Sequence, residues 1–272
     1  MQIFIKFKKT HSNKMNLVSK VYHMHNCLFL QNMPTKKIDF VYDDPPYAIG
    51  ESNKNHKSRN TAIKQKNGNK LKAKDNCYVS EDWDNKAPSD QYFNHLFRTS
   101  KVQVIWGGNY FKQLGIPFKT PRRNDFLQFI KDYPIGWILW DKVNSTNDFN
   151  DCELAWTNTD KPSVIIQFMW NGMMQGKSIT EGTMQQGNKK LNEKRIHPTQ
   201  KPMAINRWIF HNYLPKDIIN PVVYDGHVGS GGSRITAHEY NCHFIGCETS
   251  LINFNNQEKR FTNYISQIKI QF

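Results

Sequence analysis

The chain has 272 residues, enough for an α/β core in one domain, and carries a formal net charge of +14 with an isoelectric point near 9.5, which favours a polyanionic partner. Its five cysteines include no CxxC pair, so neither a disulfide framework nor a zinc site is expected, and we predict no metal. No apolar run is long enough to span a bilayer and the start lacks a signal-peptide pattern, so we expect an intracellular, cytoplasmic protein.

The hydrophobic pattern predicts one domain, residues 21–272, preceded by an N-terminal extension, residues 1–20. In chain order, short apolar runs predict strands at 38–42, 101–106, 136–140, 163–168, 222–225 and 243–247. Helical patterns are found at 89–98, 123–131 and 203–213, and residues 233–239 are compatible with a helix. This alternation is typical of the α/β class, with a doubly wound, mainly parallel sheet.

The segment Asp44-Pro45-Pro46-Tyr47 directly follows the strand predicted at 38–42. A carboxylate and the next backbone carbonyl can together accept both hydrogens of an aromatic amino group, and the two prolines restrict the backbone around these acceptors. Tyr47 offers a flat ring on which a base can stack. The segment therefore predicts a clamp for an exocyclic amino group, and the alternative is a plain strand followed by a Pro-Pro turn.

The next feature along the chain is a basic insertion, residues 51–80. Between residues 54 and 74 it carries eight Lys or Arg and no acidic residue, with almost no apolar periodicity. We interpret it as a mobile basic loop that follows phosphates. The alternative is a solvated linker whose charge reflects composition alone.

A glycine-rich segment follows the strand predicted at 222–225 and includes Asp225, His227, Gly229, Ser230 and Gly231. Glycines let the backbone approach a ligand closely, and open α/β sheets bind ligands at the carboxyl ends of their strands. The next predicted strand ends at Glu248, whose carboxylate is placed to accept the hydroxyls of a ribose. The pattern indicates a nucleotide-type site, and the alternative is a turn with a surface glutamate.

Together the two motifs resemble those of the DNA amino-methyltransferases that use S-adenosylmethionine. They resemble in particular the circularly permuted beta group, in which the DPPY motif precedes the glycine-rich motif, as it does here. RIHPTQKP at 195–202 is similar to the segment of this group just before the cofactor loop. Three further segments are similar to those of its phage-type members: IWGGNYF at 105–111, WILWDK at 137–142 and DCELAW at 151–156. The resemblance extends from about residue 26 to residue 248.

The resemblance implies a Rossmann-like methyltransferase fold that transfers a methyl group to the N6 amino group of a flipped adenine in double-stranded DNA. The implied catalytic residues are Asp44, Pro45, Pro46 and Tyr47. The implied cofactor residues are Asn26, Cys27, Thr199, Lys201, Asp225, His227, Gly229, Ser230, Gly231 and Glu248. It also implies a target-recognition segment at 170–195 and a terminal antiparallel pair, which we expect from residues 163–168. Whether the protein is a monomer or a homodimer stays open.

Two residues depart from the pattern of the family. His227 stands where members usually have Phe, which adds a titratable ring beside the cofactor. Asn26 stands where members have an Asp that accepts from the adenine amino group of the cofactor, so the expected consequence is weaker cofactor binding.

Two alternatives to adenine methylation remain. The first is N4-cytosine methylation, although members of that type more often carry Ser at the position of Asp44. The second is a nucleic-acid-binding protein that has lost catalysis.

Overall fold

The computed structural model describes residues 17–49, 63–64, 70–71, 86–144, 150–171, 174–197 and 199–267. The described strands are β1 (Ser19–His23), β2 (Ile38–Asp43), β3 (Ile63–Lys64), β4 (Lys70–Leu71), β5 (Ser100–Trp106), β6 (Trp137–Asp141), β7 (Cys152–Thr157), β8 (Val164–Gln167), β9 (Trp170–Asn171), β10 (Met174–Gln175), β11 (Val222–Asp225) and β12 (His243–Glu248). The described α-helices are α1 (Asn26–Gln31), α2 (Asp90–Thr99), α3 (Phe126–Asp132), α4 (Met203–Tyr213), α5 (Gly232–Glu239) and α6 (Leu251–Ser266).

One sheet of eight strands forms the centre, in the order β1–β12–β11–β2–β5–β7–β6–β8. The first five strands in this order are mutually parallel. The strand before the DPPY segment, β2, pairs with the strand before the glycine-rich loop, β11, although about 180 residues separate them in the chain. Their carboxyl ends therefore lie side by side, and the prediction of a mainly parallel α/β sheet is confirmed.

Helices cover both faces of this sheet. On one face Val41 of β2 packs in a cluster with Phe29 of α1 and Phe93 of α2. On the other face Phe40 of β2 packs in a second cluster with Phe210 of α4. Because successive strand residues point to opposite faces, this alternation shows a doubly wound arrangement. Burying such a side chain contributes roughly 2 kcal/mol, so the central strands anchor the loops at their ends.

The antiparallel part of the sheet differs from the expectation. We expected it from residues 163–168, but β8 runs parallel to β6 at the edge of the sheet. The antiparallel strand is β7, which lies between β5 and β6 and pairs with both. The physical reason is that β6 and β7 form a hairpin, which buries Leu154 and Ala155 in the sheet interior and leaves the edge to β8.

The hydrophobic pattern did not predict β1, α1, β7 and α6, nor the two short pairs, β3 with β4 and β9 with β10. The edge strand β1 begins at Ser19 and pairs with β12, so the last two residues of the predicted extension 1–20 belong to the sheet. The division of the chain into an extension and a single catalytic domain otherwise stays a prediction.

Candidate active site

A cavity of about 420 Å³ lies at the carboxyl ends of β2, β11 and β12. The predicted site residues that line it are Asn26, Asp44, Pro46, Thr199, Lys201, Asp225, His227, Gly229, Ser230 and Glu248. Four predicted residues are not part of its lining, namely Cys27, Pro45, Tyr47 and Gly231. The fold thus brings most residues of the two predicted sites, which are far apart in the chain, to one place.

Asp44, predicted to be catalytic, is one of the carboxylates that line the cavity. Its Oδ1 accepts a hydrogen bond from the hydroxyl of Tyr47 at 2.7 Å, and its Oδ2 accepts from the ammonium of Lys201 at 2.7 Å. Burial raises the pKa of Asp44 above its ordinary value, Lys201 opposes this effect, and the charge of Glu153 adds to it. Each carboxylate oxygen keeps a second lone pair, so Asp44 can still accept a hydrogen from a ligand.

Tyr47 is held between aromatic rings and a glycine. Its ring stacks on Tyr110 with a centroid distance of 5.2 Å and meets Phe111 edge-on, with a centroid distance of 6.1 Å. A Cβ at Gly107 would lie 2.2 Å from the Tyr47 ring, and Gly107 has a φ of +66°. Only glycine meets both conditions, which explains the WGG sequence at the end of β5.

A chain of ion pairs joins Asp44 to β7. The ammonium of Lys201 lies 2.7 Å from both Asp44 and Glu153, and Lys142 lies 2.5 Å from Glu153. We expected Lys201 on the cofactor side, but its ammonium contacts the carboxylate of Asp44; its cofactor role stays a prediction. Burial raises the pKa of Glu153, but Lys142 and Lys201 outweigh this and lower it to about 2.

The second carboxylate of the DDPPY sequence, Asp43, was not predicted as a site residue. It is fully buried and accepts hydrogen bonds from Tyr92 at 2.5 Å, from the Gly226 amide at 3.2 Å and from Nδ1 of His227 at 2.9 Å. The only sequence signal for it was the doubled aspartate at the end of an apolar strand. Asp43 therefore joins the DPPY strand to the glycine-rich loop.

The two departures from the family pattern, Asn26 and His227, are in direct contact. The Asn26 amide donates to the Gly226 carbonyl at 3.2 Å, and the same nitrogen lies 2.8 Å from Nε2 of His227. While Asn26 donates to Nε2, the ring is neutral and its Nδ1 donates to Asp43. Burial lowers the pKa of His227, but the charge and hydrogen bond of Asp43 outweigh burial and raise it.

The variant Asn26→Asp should raise the pKa of His227 further. It replaces the amide that donates to Nε2 with a carboxylate, so the protonated ring gains a charged partner. The resonance of the His227 ring, followed by NMR across pH 5 to 9, measures the shift. Asn26→Ala is the matched control, because it removes the donor without adding charge. An equal shift in both variants would contradict the electrostatic cause.

The glycine-rich loop is closed by Asp225 at the end of β11. Its Oδ1 accepts from the His227 amide at 2.9 Å and its Oδ2 accepts from the hydroxyl of Ser233 at 2.5 Å. Burial, and secondly the charge of Asp43, raise the pKa of Asp225 to about 8. Gly229 and Gly231 have φ values of +50° and +74°, which glycine adopts without the cost that a side chain would add.

Glu248 lies at the end of β12 and faces the same loop. Its Oε2 accepts from the Gly229 amide at 2.8 Å and its Oε1 accepts from the Ser250 amide at 2.9 Å. Burial raises its pKa, although these backbone hydrogen bonds oppose the effect. The carboxylate also lines the cavity, so it can accept from ligand hydroxyls such as those of a ribose.

Thr199 and His197 line the wall between Lys201 and the glycine-rich loop. The Thr199 hydroxyl lies 3.2 Å from Nδ1 of His197. Burial, with the nearby charge of Lys201, lowers the pKa of His197 to about 4. His197 is therefore neutral at pH 7 and becomes costly to keep buried as the pH falls.

His197 should make the fold sensitive to mild acid. Its pKa falls from about 6.5 in the unfolded chain to about 4 in the folded one, so its contribution to stability is complete above pH 6.5 and is lost as the pH falls towards 4. Between pH 7.5 and 5 the loss should be about 2 kcal/mol. Urea unfolding of wild type and of His197→Gln at both pH values measures it. A variant that loses as much stability on acidification as the wild type would refute this cause.

The segment predicted for target recognition, residues 170–195, is partly described. Its strands β9 and β10 pair as a short hairpin, and Gln175 and Glu193 exchange two hydrogen bonds of 2.8 Å. The guanidinium of Arg195 lies 4.2 Å from the centre of the Trp170 ring. Glu193 also accepts from the Met203 amide at 2.8 Å, so the segment is joined to the start of α4 beside the cavity.

Most of the basic insertion, residues 51–80, lies outside the described residues. The described part is the antiparallel pair of β3 and β4.

Within the described ranges no helix has the length and apolar character to cross a bilayer. In the same ranges no three His, Cys, Asp or Glu side chains form a group that could hold a metal ion.

No protein-family model matches the chain. Among solved structures, the M1.HpyAVI–SAM complex is 18% identical with a TM-score of 0.45, over 89% of this chain and 98% of that one. TTHA0409 from Thermus thermophilus, a putative DNA modification methylase complexed with S-adenosyl-L-methionine, is 13% identical with a TM-score of 0.47, over 92% and 96%. The PvuII DNA methyltransferase (cytosine-N4-specific) is 17% identical with a TM-score of 0.44, over 90% of each chain. What this chain does must therefore be inferred from the cavity and its residues.

Proposed function

We propose that the chain is a DNA methyltransferase that transfers a methyl group from S-adenosylmethionine to the N6 amino group of an adenine flipped out of double-stranded DNA. The observation that carries the proposal is the single cavity lined by both Asp44 and the glycine-rich loop. An amino clamp and a nucleotide site have to share one space if a group is to pass between their ligands. The family resemblance of both motifs supports the same activity.

The residues present fit a nucleoside cofactor. Glu248 lines the cavity with a carboxylate held by backbone amides, which suits it to accept from the ribose hydroxyls, and the glycine backbone at Gly229 leaves room for close approach. Asn26 lines the cavity, and its amide nitrogen already makes hydrogen bonds within the protein. Its oxygen is therefore the acceptor that we assign to the adenine amino group of the cofactor. When bound, S-adenosylmethionine supplies a methyl group on a positively charged sulfur.

Asp44 would hold the amino group that receives this methyl group. Its carboxylate accepts one amino hydrogen and the Pro45 carbonyl accepts the other, which directs the nitrogen lone pair at the methyl carbon. As the nitrogen–carbon bond forms and the sulfur–carbon bond breaks, Asp44 takes up one amino proton. A carboxylate whose pKa is raised by burial is suited to receive it. Tyr47, fixed to Asp44 by its hydroxyl, would stack on the base.

The test is direct. The purified chain is incubated with labelled S-adenosylmethionine and unmethylated DNA, and the nucleosides are separated and identified by mass spectrometry. N6-methyladenine is the expected product. N4-methylcytosine would replace the adenine proposal with its alternative, and binding of DNA without any methylated nucleoside would favour a protein that has lost catalysis. Sequencing of DNA from cells that express the chain identifies the methylated site.

A further inference from the structure

We propose that Lys201 and Glu153 are positioning residues that together set the charge of Asp44: Lys201 holds the carboxylate ionised, and Glu153 cancels the surplus positive charge that Lys201 and Lys142 bring to the site. The consequence for catalysis rests on the proposed function, whereas the charge arrangement itself rests on the geometry alone. Glu153 does not line the cavity; it acts on Asp44 by its own charge and through Lys201, which pairs with both carboxylates.

The geometry of the four charges is compact. The order Asp44–Lys201–Glu153–Lys142 alternates in sign, and its neighbouring groups lie 2.7, 2.7 and 2.5 Å apart. The side chain of Lys201 is only 6% exposed, and those of Asp44 and Glu153 are 22% and 23% exposed. At this burial the solvent screens little, so each charge influences the next strongly.

The aromatic surroundings reinforce this influence. The Lys201 ammonium lies 5.0 Å from the centre of the Trp106 ring and 5.9 Å from that of Tyr47. The other titratable groups near Asp44 are the phenols of Tyr42, Tyr47 and Tyr110 and, beside Lys201, the neutral His197. Burial raises the pKa of Tyr42 and of Tyr47 well above the ordinary value, so these phenols stay neutral at working pH. The charge of Asp44 is therefore controlled by Lys201 and Glu153.

The sign of each effect follows from the charges. Burial raises the pKa of Asp44, Lys201 lowers it and Glu153 raises it. Removing the charge of Glu153 should therefore lower the pKa of Asp44, and removing that of Lys201 should raise it. Glu153 would have a second role in the proposed reaction, because positive charge would develop on the amino group held by Asp44, whose carboxylate lies 2.7 Å from Lys201. Without Glu153 the site would carry one more positive charge, which would oppose that development.

The experiment compares wild type with Glu153→Gln and Lys201→Met. Carbon-13 labelling of aspartate carboxyl groups gives an NMR titration in which Asp44→Asn identifies the Asp44 signal. We expect the Asp44 pKa to be lower in Glu153→Gln and higher in Lys201→Met. Asp39→Asn is the matched control, because Asp39 lies at the other end of β2 and forms an ion pair of 2.7 Å with Lys101. This control should leave the Asp44 pKa unchanged. If Glu153 had only a structural role, Glu153→Gln would likewise leave the Asp44 pKa unchanged.

Kinetics provide the second measurement. We expect Glu153→Gln to lower kcat at least tenfold with little change in KM for the cofactor, and Glu153→Asp to restore part of it. In Lys201→Met the acid limb of the pH–kcat profile should move to higher pH. Unchanged Asp44 titration in both variants would overturn the inference. If the two variants shift the Asp44 pKa in opposite directions but the wild type transfers no methyl group, the charge arrangement is supported and the proposed function is refuted instead.

Discussion

Replacing Asp44 by alanine should abolish methyl transfer while leaving cofactor affinity largely unchanged. In the proposed reaction the carboxylate holds the target amino group, and the groups assigned to the cofactor, Glu248 and the glycine-rich loop, have their own backbone hydrogen bonds. We expect turnover to fall at least a thousandfold, about 4 kcal/mol of barrier. Single-turnover kinetics with saturating cofactor and DNA measure this loss, and calorimetric titration measures the affinity.

The control for this variant is Asp39→Ala. Asp39 lies at the opposite end of the same strand and is also paired with a lysine, so the variant loses this ion pair and a hydrogen bond from the Val222 amide without touching the cavity. Its turnover should stay near that of the wild type. If Asp44→Ala kept more than about a tenth of wild-type turnover, a loss of less than about 1.4 kcal/mol, Asp44 would not be the amino clamp.

Replacing His227 by phenylalanine should destabilise the fold, even though phenylalanine is the residue that the family pattern contains at this position. The imidazole donates to Asp43, which is fully buried between β2 and the glycine-rich loop. Phenylalanine leaves that carboxylate with two donors, Tyr92 and the Gly226 amide. Removing one hydrogen-bond donor from a buried carboxylate should lower the free energy of unfolding by about 3 kcal/mol. Urea unfolding at pH 7 measures it.

A double-mutant cycle identifies the cause. In Asp43→Asn the buried charge is gone, so adding His227→Phe should cost much less than it does in the wild type. We expect a coupling energy above about 1 kcal/mol. Additive effects of the two variants would mean that packing of the ring, and not its hydrogen bond to Asp43, determines the loss.

The contact between Asn26 and His227 also explains how two departures from the family pattern coexist. Seen in the sequence, they were separate changes, each expected to affect the cofactor site. In the fold the Asn26 amide lies 2.8 Å from the His227 ring. An aspartate at position 26 would instead place a carboxylate beside the ring and close to Asp43. The two residues are therefore compatible as a pair.

The sequence by itself determined the central strands and the loops that follow them. Apolar runs such as those of β2 and β11 are buried on both faces, and a strand of this kind is recognisable from local composition. Prolines and glycines are local signals too, because they restrict or free the backbone wherever they stand. The DPPY segment and the glycine-rich loop could therefore be assigned to strand ends from local sequence alone.

Only the tertiary structure decided which distant residues share the site. Glu153 lies on β7, whose first four residues, Cys-Glu-Leu-Ala, have no strong β propensity and which is fixed by pairing on both sides. Its contact with Lys201, far along the chain, depends on sheet order, as does the contact of Asp43 with His227. Hydrophobic periodicity specifies which face of an element is buried, but not which polar side chains meet at its end. That depends on packing of the whole sheet, which no local pattern contains.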